Sequence, residues 1–289
     1  MRNSLVFILF LGLLLLTACS QQPPGNPLDS NHTPPGEVED PFTVEPSADH
    51  DPPLDEAPSA ADDEDKDSVH EVAEIVKTHR MNSHYFIVPK DPEGDKKVVL
   101  LTFDDGPKEA EQISRMIEVL DQHQAKAIFF VNGYRVKQNP ELLKQLHNAG
   151  QVIGNHSWDH INLRELDSDE AKQQIVDVQN IVEELTGSRP EFFRPPFGSA
   201  NDRVKDIVKH ENMLFMTWSN GSEDWVKQYQ TPEGVTFRVL EQLAPGSNIL
   251  MHELPWTIEA LDGLLTAIED KGYSFIDPRA IEIVETPHE

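Results

Sequence analysis

The sequence predicts an α/β fold, a reduced or irregular barrel of parallel strands, on three observations. From Lys96 onward, short apolar runs of strand length alternate with stretches whose apolar residues recur at helical spacing. Seven or so strand–helix steps fit into roughly 190 residues, short of the roughly 250 of a full eight-fold barrel. The polar residues with chemical potential follow directly on the apolar runs, at the strand rim where parallel sheets and barrels place their sites.

The opening strand sets the pattern. Val98-Val99-Leu100-Leu101-Thr102-Phe103 is long enough for a buried strand and too short for a helix. It ends on Asp104-Asp105, and Gly106-Pro107 then breaks it. Two adjacent carboxylates at an apolar strand end repel each other and lose solvation, so a cation is expected beside them. Ala110 to His123 follows as a helix, then the strand Ala127–Val131, closed by Asn132-Gly133. Pro140 opens a helix that stops near Gly150. Gln151–Gly154 is the third strand, and Ser168 opens a long helix, acidic in its first turn, that ends at Gly187. Glu191–Phe193, Leu214–Trp218, Asn248–Met251 and Tyr273–Ile276 read as further strands. Helices are predicted over Asp202–His210, Glu233–Leu243 and Ile258–Lys271. Before the head, Val69–Lys77 has helical spacing, and Tyr85–Val88 reads as a peripheral strand ahead of the Asp91-Pro92-Glu93-Gly94 turn.

The N-terminal part reads as an address. Met1-Arg2 and the apolar run Leu5–Leu16 fit a secretory signal peptide over residues 1–18, since the run is short for a membrane span. Leu16-Thr17-Ala18-Cys19 resembles the lipobox of bacterial lipoproteins, in which cleavage leaves the cysteine as the lipidated first residue. Cys19 is the only cysteine among 289 residues, so no intrachain disulfide is available and lipidation gives the thiol a use. An uncleaved anchor helix is the alternative; either form tethers the chain to the outer face of a bacterial membrane. Residues 19–68 carry three Pro-Pro pairs and the run Asp62-Asp63-Glu64-Asp65, the composition of a disordered, extended stalk. The boundaries are therefore 1–18 leader, 19–68 stalk, 69–95 lead-in and 96–289 folded head. Much of the net charge of -27 falls in the stalk, and the negative balance excludes nucleic acid as a partner.

Three more sites follow strands. Asn155-His156-Ser157-Trp158-Asp159-His160 places two histidines four apart; on a helical turn they would face one direction and bind one metal. Arg194-Pro195-Pro196-Phe197-Gly198 sets an arginine on a rigid turn, suited to hold a carboxylate. His252 follows the strand Asn248–Met251 and is the best candidate for an acid or base.

Taken with Asp224-Trp225 and Leu250-Met251-His252, these stretches resemble the five ordered motifs of the polysaccharide deacetylases with a NodB homology domain, carbohydrate esterase family four. The resemblance covers about Lys96 to Pro278. It implies a distorted (β/α) barrel of seven or eight strands and hydrolysis of N-acetyl groups on glycans. It assigns Asp105, His156 and His160 to one divalent metal, Zn²⁺ by default, with Co²⁺, Ni²⁺ and Fe²⁺ also suited to two imidazoles and a carboxylate. Asp104 would be the general base, oriented and counter-charged by Arg194. His252 would protonate the leaving amine, with Asp224 holding its imidazole. The backbone N–H of Phe197 would help hold the oxyanion, and Trp225 and Leu250 would line the groove. Two departures stand out: Phe197 replaces the usual Tyr, and Gly221 stands where many members carry an Asp, with Glu223 as its candidate substitute.

With the lipoprotein address, the expected partner is N-acetylated cell-wall polysaccharide, peptidoglycan before chitooligosaccharide or exopolysaccharide. The alternatives are an O-acetyl esterase on polysaccharide and a non-catalytic glycan-binding lipoprotein on the same fold.

Overall fold

The computed structural model describes residues 75–283. The leader, Cys19, the stalk and most of Val69–Lys77 lie outside the described residues; Ile75, Val76 and Lys77 are without regular structure.

A small antiparallel hairpin comes first, β1 (His79–Met81) with β2 (Ile87–Pro89). The expected strand at Tyr85–Val88 begins only at Ile87, because Tyr85 has φ 63 and sits in the hairpin turn. Three-residue strands carry too little pattern to be read from sequence.

The main sheet holds eight strands, all parallel: β3 (Val98–Gly106), β4 (Ala127–Val131), β5 (Val152–Asn155), β6 (Phe192–Phe193), β7 (Leu214–Phe215), β8 (Asn220–Gly221), β9 (Asn248–His252) and β10 (Ser274–Phe275). The order is β7-β6-β5-β4-β3-β9-β8, with β10 on the first residues of β3. This is the distorted (β/α) barrel, with β7 and β8 as the two ends of the strand order. The fifth strand stops at Phe215 rather than Trp218, and β8 was not expected, since Asn-Gly has no apolar signal. It forms because β9 pairs with it and the Asn220 amide donates to the Val239 carbonyl at 2.9 Å.

Seven helices cover the sheet: α1 (Ala110–Gln122), α2 (Gly133–Gln138), α3 (Pro140–Asn148), α4 (Ser168–Thr186), α5 (Asp202–His210), α6 (Pro232–Glu241) and α7 (Pro255–Asp270). The short α2 replaces the expected loop after β4. Its Gly133 lies against the Trp158 indole, where a Cβ would fall 2.1 Å from a ring carbon. Capping explains the sharp ends of α4: Asp167 and Glu170 form a capping box, and Gly187 closes the helix at φ 80.

Alternation along the strands separates an outer from an inner core, and a third cluster gathers around Phe193 under α4 and α5. Val99, Leu101 and Phe103 face α1 and α7, whereas Val98 and Leu100 join Ile128, Phe130 and Phe192 inside the barrel. Met81 and Ile87 of the hairpin join the inner core. The Ile87 N–H donates to the Gly246 carbonyl at 2.8 Å, and Gly246, at φ 81, leaves no room for a side chain against that backbone.

One surface contact clamps α1 to α7. The His123 ring at the α1 C-cap sits between Glu269 Oε2 at 2.9 Å and Asp262 Oδ1 at 3.1 Å. Burial alone would lower its pKa, but the two carboxylates outweigh that and raise it above 6.5. A raised histidine pKa adds stability below the unfolded value, and that stability is lost as pH rises through the folded one. His123→Gln should therefore lower Tm by about 1–2 °C at pH 5.5, on the order of 0.5 kcal/mol for a partly exposed pair, with the gap closing at pH 9 in thermal melts.

Candidate active site

The two acids at the end of β3 serve one site because the strand is bulged between them. In regular alternation Asp105 would point away from Asp104. Instead the register with β4 shifts between Asp104 and Gly106, and Asp105 takes φ 67. Both carboxylates then reach the rim. Asp104 is buried and Asp105 half-buried.

Arg194, fully buried at the end of β6, holds the first acid. Its Nη1 donates to Asp104 Oδ1 at 2.7 Å and to Thr102 Oγ1 at 2.8 Å. Its Nη2 donates to the Thr217 carbonyl at 2.9 Å and to Asn248 Oδ1 at 3.1 Å, and its guanidinium lies 4.4 Å over the Phe130 ring. Thr102 Oγ1 in turn donates a hydrogen bond to the Ile249 carbonyl at 2.6 Å. Thr102 opens the motif that carries the acid pair, whereas Asn248 is a partner that the motif pattern does not mark; both face the barrel interior on strands next to each other. Glu223 does not take the place of the acid absent at Gly221. It pairs with Arg238 of α6, and Arg194 is saturated without it.

The second acid meets the two histidines. Asp105 Oδ1 lies 3.2 Å from His160 Nε2 and 3.5 Å from His156 Nε2, and Asp104 Oδ2 lies 3.6 Å from His156 Nε2. The histidines do not converge through a helical turn as expected. The segment is a loop in which Ser157 (φ 66) and His160 (φ 55) are left-handed, and this reversal brings the rings to 5.0 Å. Asn132 fixes the loop by donating to the His156 carbonyl at 2.9 Å. His156 Nδ1 lies 2.7 Å from the Arg194 carbonyl, which can only accept, so Nδ1 carries the proton and Nε2 presents a lone pair. Burial lowers the His156 pKa despite the nearby acids, which favours that neutral ring.

These residues fit a divalent cation. One carboxylate oxygen and two imidazole nitrogens, from Asp105, His156 and His160, lie within 4.8 Å of one another. Asp105 Oδ1 is buried and has no hydrogen-bond partner, its approach to the rings being close but not aligned for one. Burial would raise the Asp105 pKa, but His156, His252 and His160 together hold it below the ordinary carboxylate value. Among the described residues no other such cluster occurs.

A third histidine sits across the ladder. His252 is paired in register with Asp104, and its Nδ1 lies 2.7 Å from Asp224 Oδ1. Asp224 is fully buried and saturated: Oδ2 accepts from the His252 N–H and from Thr257 Oγ1, both at 2.8 Å, and its carbonyl accepts from Trp256 Nε1 at 2.8 Å. Thr257 and Trp256, on the first turn of α7, escape sequence reading because only the fold brings them to Asp224. Burial would lower the His252 pKa, but the Asp224 hydrogen bond and charge, with Asp104 and Asp105, raise it. Next in the chain, the Glu253 carboxyl is pushed up to about 7 by burial, against the opposing pull of Lys108.

Two exposed aromatics flank the cluster. Phe197, 67% exposed and at φ 60, packs edge-on to His160 at 4.8 Å; Trp225, 46% exposed, packs edge-on to His252 at 5.3 Å. Leu250 lies buried one strand position before Met251 and His252.

Comparison with known proteins agrees with this architecture. The polysaccharide deacetylase family model matches residues 91–216. The peptidoglycan-N-acetylmuramic acid deacetylase PdaC of Bacillus subtilis is 34% identical over 217 residues, 74% of this chain and 45% of that protein. A peptidoglycan-N-acetylglucosamine deacetylase of Bacillus cereus is 34% identical over 187 residues, 63% of this chain and 67% of that one. The chain thus spans less than half of the first relative and about two thirds of the second. A solved structure described as a CE4 family pseudoenzyme from Bacillus anthracis superposes with a TM-score of 0.59 and 34% identity, covering 62% of this chain and 63% of that one. With the barrel, the bulged acid pair and the histidine cluster in place, the chain belongs to the polysaccharide deacetylase family.

Proposed function

We propose that this chain is a metal-dependent N-deacetylase of cell-wall glycan, with peptidoglycan as its substrate, and that Cys19 tethers it by lipid to the outer face of a bacterial membrane. The observation that carries the reading is the convergence, at one rim, of a three-ligand cluster, a counter-charged carboxylate and a carboxylate-paired histidine. The relatives named peptidoglycan deacetylases support the substrate class, and the lipobox-like Leu16–Cys19 supports the address.

A divalent cation held by Asp105, His156 and His160, Zn²⁺ first and Co²⁺, Ni²⁺ or Fe²⁺ next, supplies Lewis acidity to the acetamide carbonyl and to the attacking water. Asp104 takes the water's proton. Its Oδ1 is committed to Arg194, so Oδ2, the oxygen on the His156 side, is the accepting atom. The water oxygen bonds to the carbonyl carbon, and the backbone N–H of Phe197 donates to the oxygen that becomes negative. His252 then gives its Nε2 proton to the departing nitrogen while Asp224 steadies Nδ1, the C–N bond breaks, and acetate and a free amine leave. Trp225 and Leu250 line the groove beside the sugar and the methyl group.

An amide nitrogen must be protonated to leave, and a histidine held in its charged form by a fully buried aspartate is suited to that demand. This favours the N-acetyl substrate over an O-acetyl ester. The pseudoenzyme relative shows that the fold alone does not decide turnover. Asp104, the Asp105–His156–His160 cluster and the Asp224-paired His252 at one rim support turnover in this chain.

Acetate release from N-acetylchitooligosaccharide and from purified peptidoglycan, with Zn²⁺ added, tests the reading. Wild type should release acetate from N-acetyl in preference to O-acetyl substrates. Sugar binding without turnover under any metal would replace the enzyme with a glycan-binding protein. Asp105→Ala should lose the metal in elemental analysis. Asp104→Asn, which keeps an acceptor for the buried Arg194, should keep the metal and lose at least about 100-fold in kcat.

Because His252 must carry its proton, kcat should fall as pH rises through its raised pKa. Asp224→Asn removes the main raising influence, so the alkaline limb of the pH–rate profile should move to lower pH as kcat drops by about 100-fold or more.

A further inference from the structure

We propose that Glu253 is a positioning residue: by accepting the Lys108 N–H, its carboxylate locks the turn that carries Asp104 and Asp105 to the strand end that carries His252. The turnover readout rests on the deacetylase reading above; the metal readout does not.

Glu253 follows His252 directly and is 2% exposed. Its Oε2 accepts from the Lys108 N–H at 2.9 Å, and the Lys108 ammonium donates back to the Glu253 carbonyl at 3.3 Å. Two segments 145 residues apart are thus tied twice. Between them the carboxyl lies on the Cα of Gly106: a Cβ there would fall 1.7 Å from Oε1 and 2.6 Å from Cδ. Gly106 is therefore a glycine because Glu253 occupies the place of its side chain.

Stability does not account for this arrangement. Oε1 is buried with no hydrogen-bond partner, which costs about 1–3 kcal/mol. A leucine or methionine of similar volume would fill the same space without that cost. What an apolar side chain cannot do is accept the Lys108 N–H. That bond pins the residue two beyond Gly106, while the Asn132 N–H pins the Gly106 carbonyl at 3.1 Å from the other side. Asp105 keeps its left-handed φ of 67 only while the turn is held. Released, the 105–106 peptide relaxes toward extended backbone and carries the Asp105 carboxylate away from His156 and His160.

The test compares Glu253→Leu and Glu253→Gln in the full chain. Steady-state kinetics on N-acetylchitooligosaccharide, calorimetric Zn²⁺ titration of metal-free protein and thermal melts are measured on each. Glu253→Leu should lower kcat at least about 10-fold with KM within about twofold, and weaken Zn²⁺ binding at least about 5-fold, with Tm unchanged or raised. Glu253→Gln keeps an oxygen for Lys108 and should stay within about threefold of wild type on both readouts. Wild-type kcat and Zn²⁺ affinity in Glu253→Leu would overturn the proposal, as would equal losses in the two variants. If Glu253→Leu does not fold, Glu253→Met carries the same readouts, and failure of both to fold would make the role one of stability and overturn positioning. If wild type releases no acetate, the deacetylase reading fails, and the Zn²⁺ titration alone decides the role of Glu253.

Discussion

The structure depends on one buried ion pair. Arg194 lies fully buried inside a parallel barrel, beside a largely apolar inner core, where an unpaired guanidinium would cost several kcal/mol. The fold meets that cost with hydrogen bonds rather than water: Asp104, Thr102, Asn248 and the Thr217 carbonyl surround the guanidinium from two strands and one loop. Each of those partners is itself fixed, as Thr102 is by the Ile249 carbonyl. The pair therefore links β3, β6 and β9 across the barrel interior, and Asp104 is left with one oxygen facing the rim.

A second pair, Asp224 with His252, mirrors it on the other side of β3. Here the carboxylate is buried and the imidazole lies nearer the surface, while Asp224 is saturated by Thr257, Trp256 and the His252 backbone. The two pairs differ in which member meets the groove. One turns a carboxylate oxygen toward the rim, the other an imidazole. Asp105 and the two histidines form the cluster beside them and fit a cation.

Much of this was legible in the sequence because the central strands are long and apolar. Val98–Phe103 and Ala127–Val131 could hardly be anything else, and the rim residues were found by where those runs stop. The structure departs from the pattern where tertiary context overrides local signal. His156 and His160 converge through two left-handed residues, which sequence spacing cannot distinguish from a helical turn. The polar β8 exists only because β9 pairs with it. Glu223, a plausible substitute for a missing acid by its place in the chain, is claimed instead by Arg238. Asn248, Thr257 and Glu253 carry no motif of their own; their places come from what the fold sets beside them.

The bulge at Asp104–Gly106 has a consequence for how such a site can change over time. One peptide unit, about 3.8 Å between Cα atoms, separates Asp104 from Asp105, and one ladder rung joins Asp104 to His252. The separations among these groups are thus written into covalent geometry and strand register, which loop length cannot alter. The exposed segments that carry Phe197 and Trp225 can vary in sequence and length without moving them.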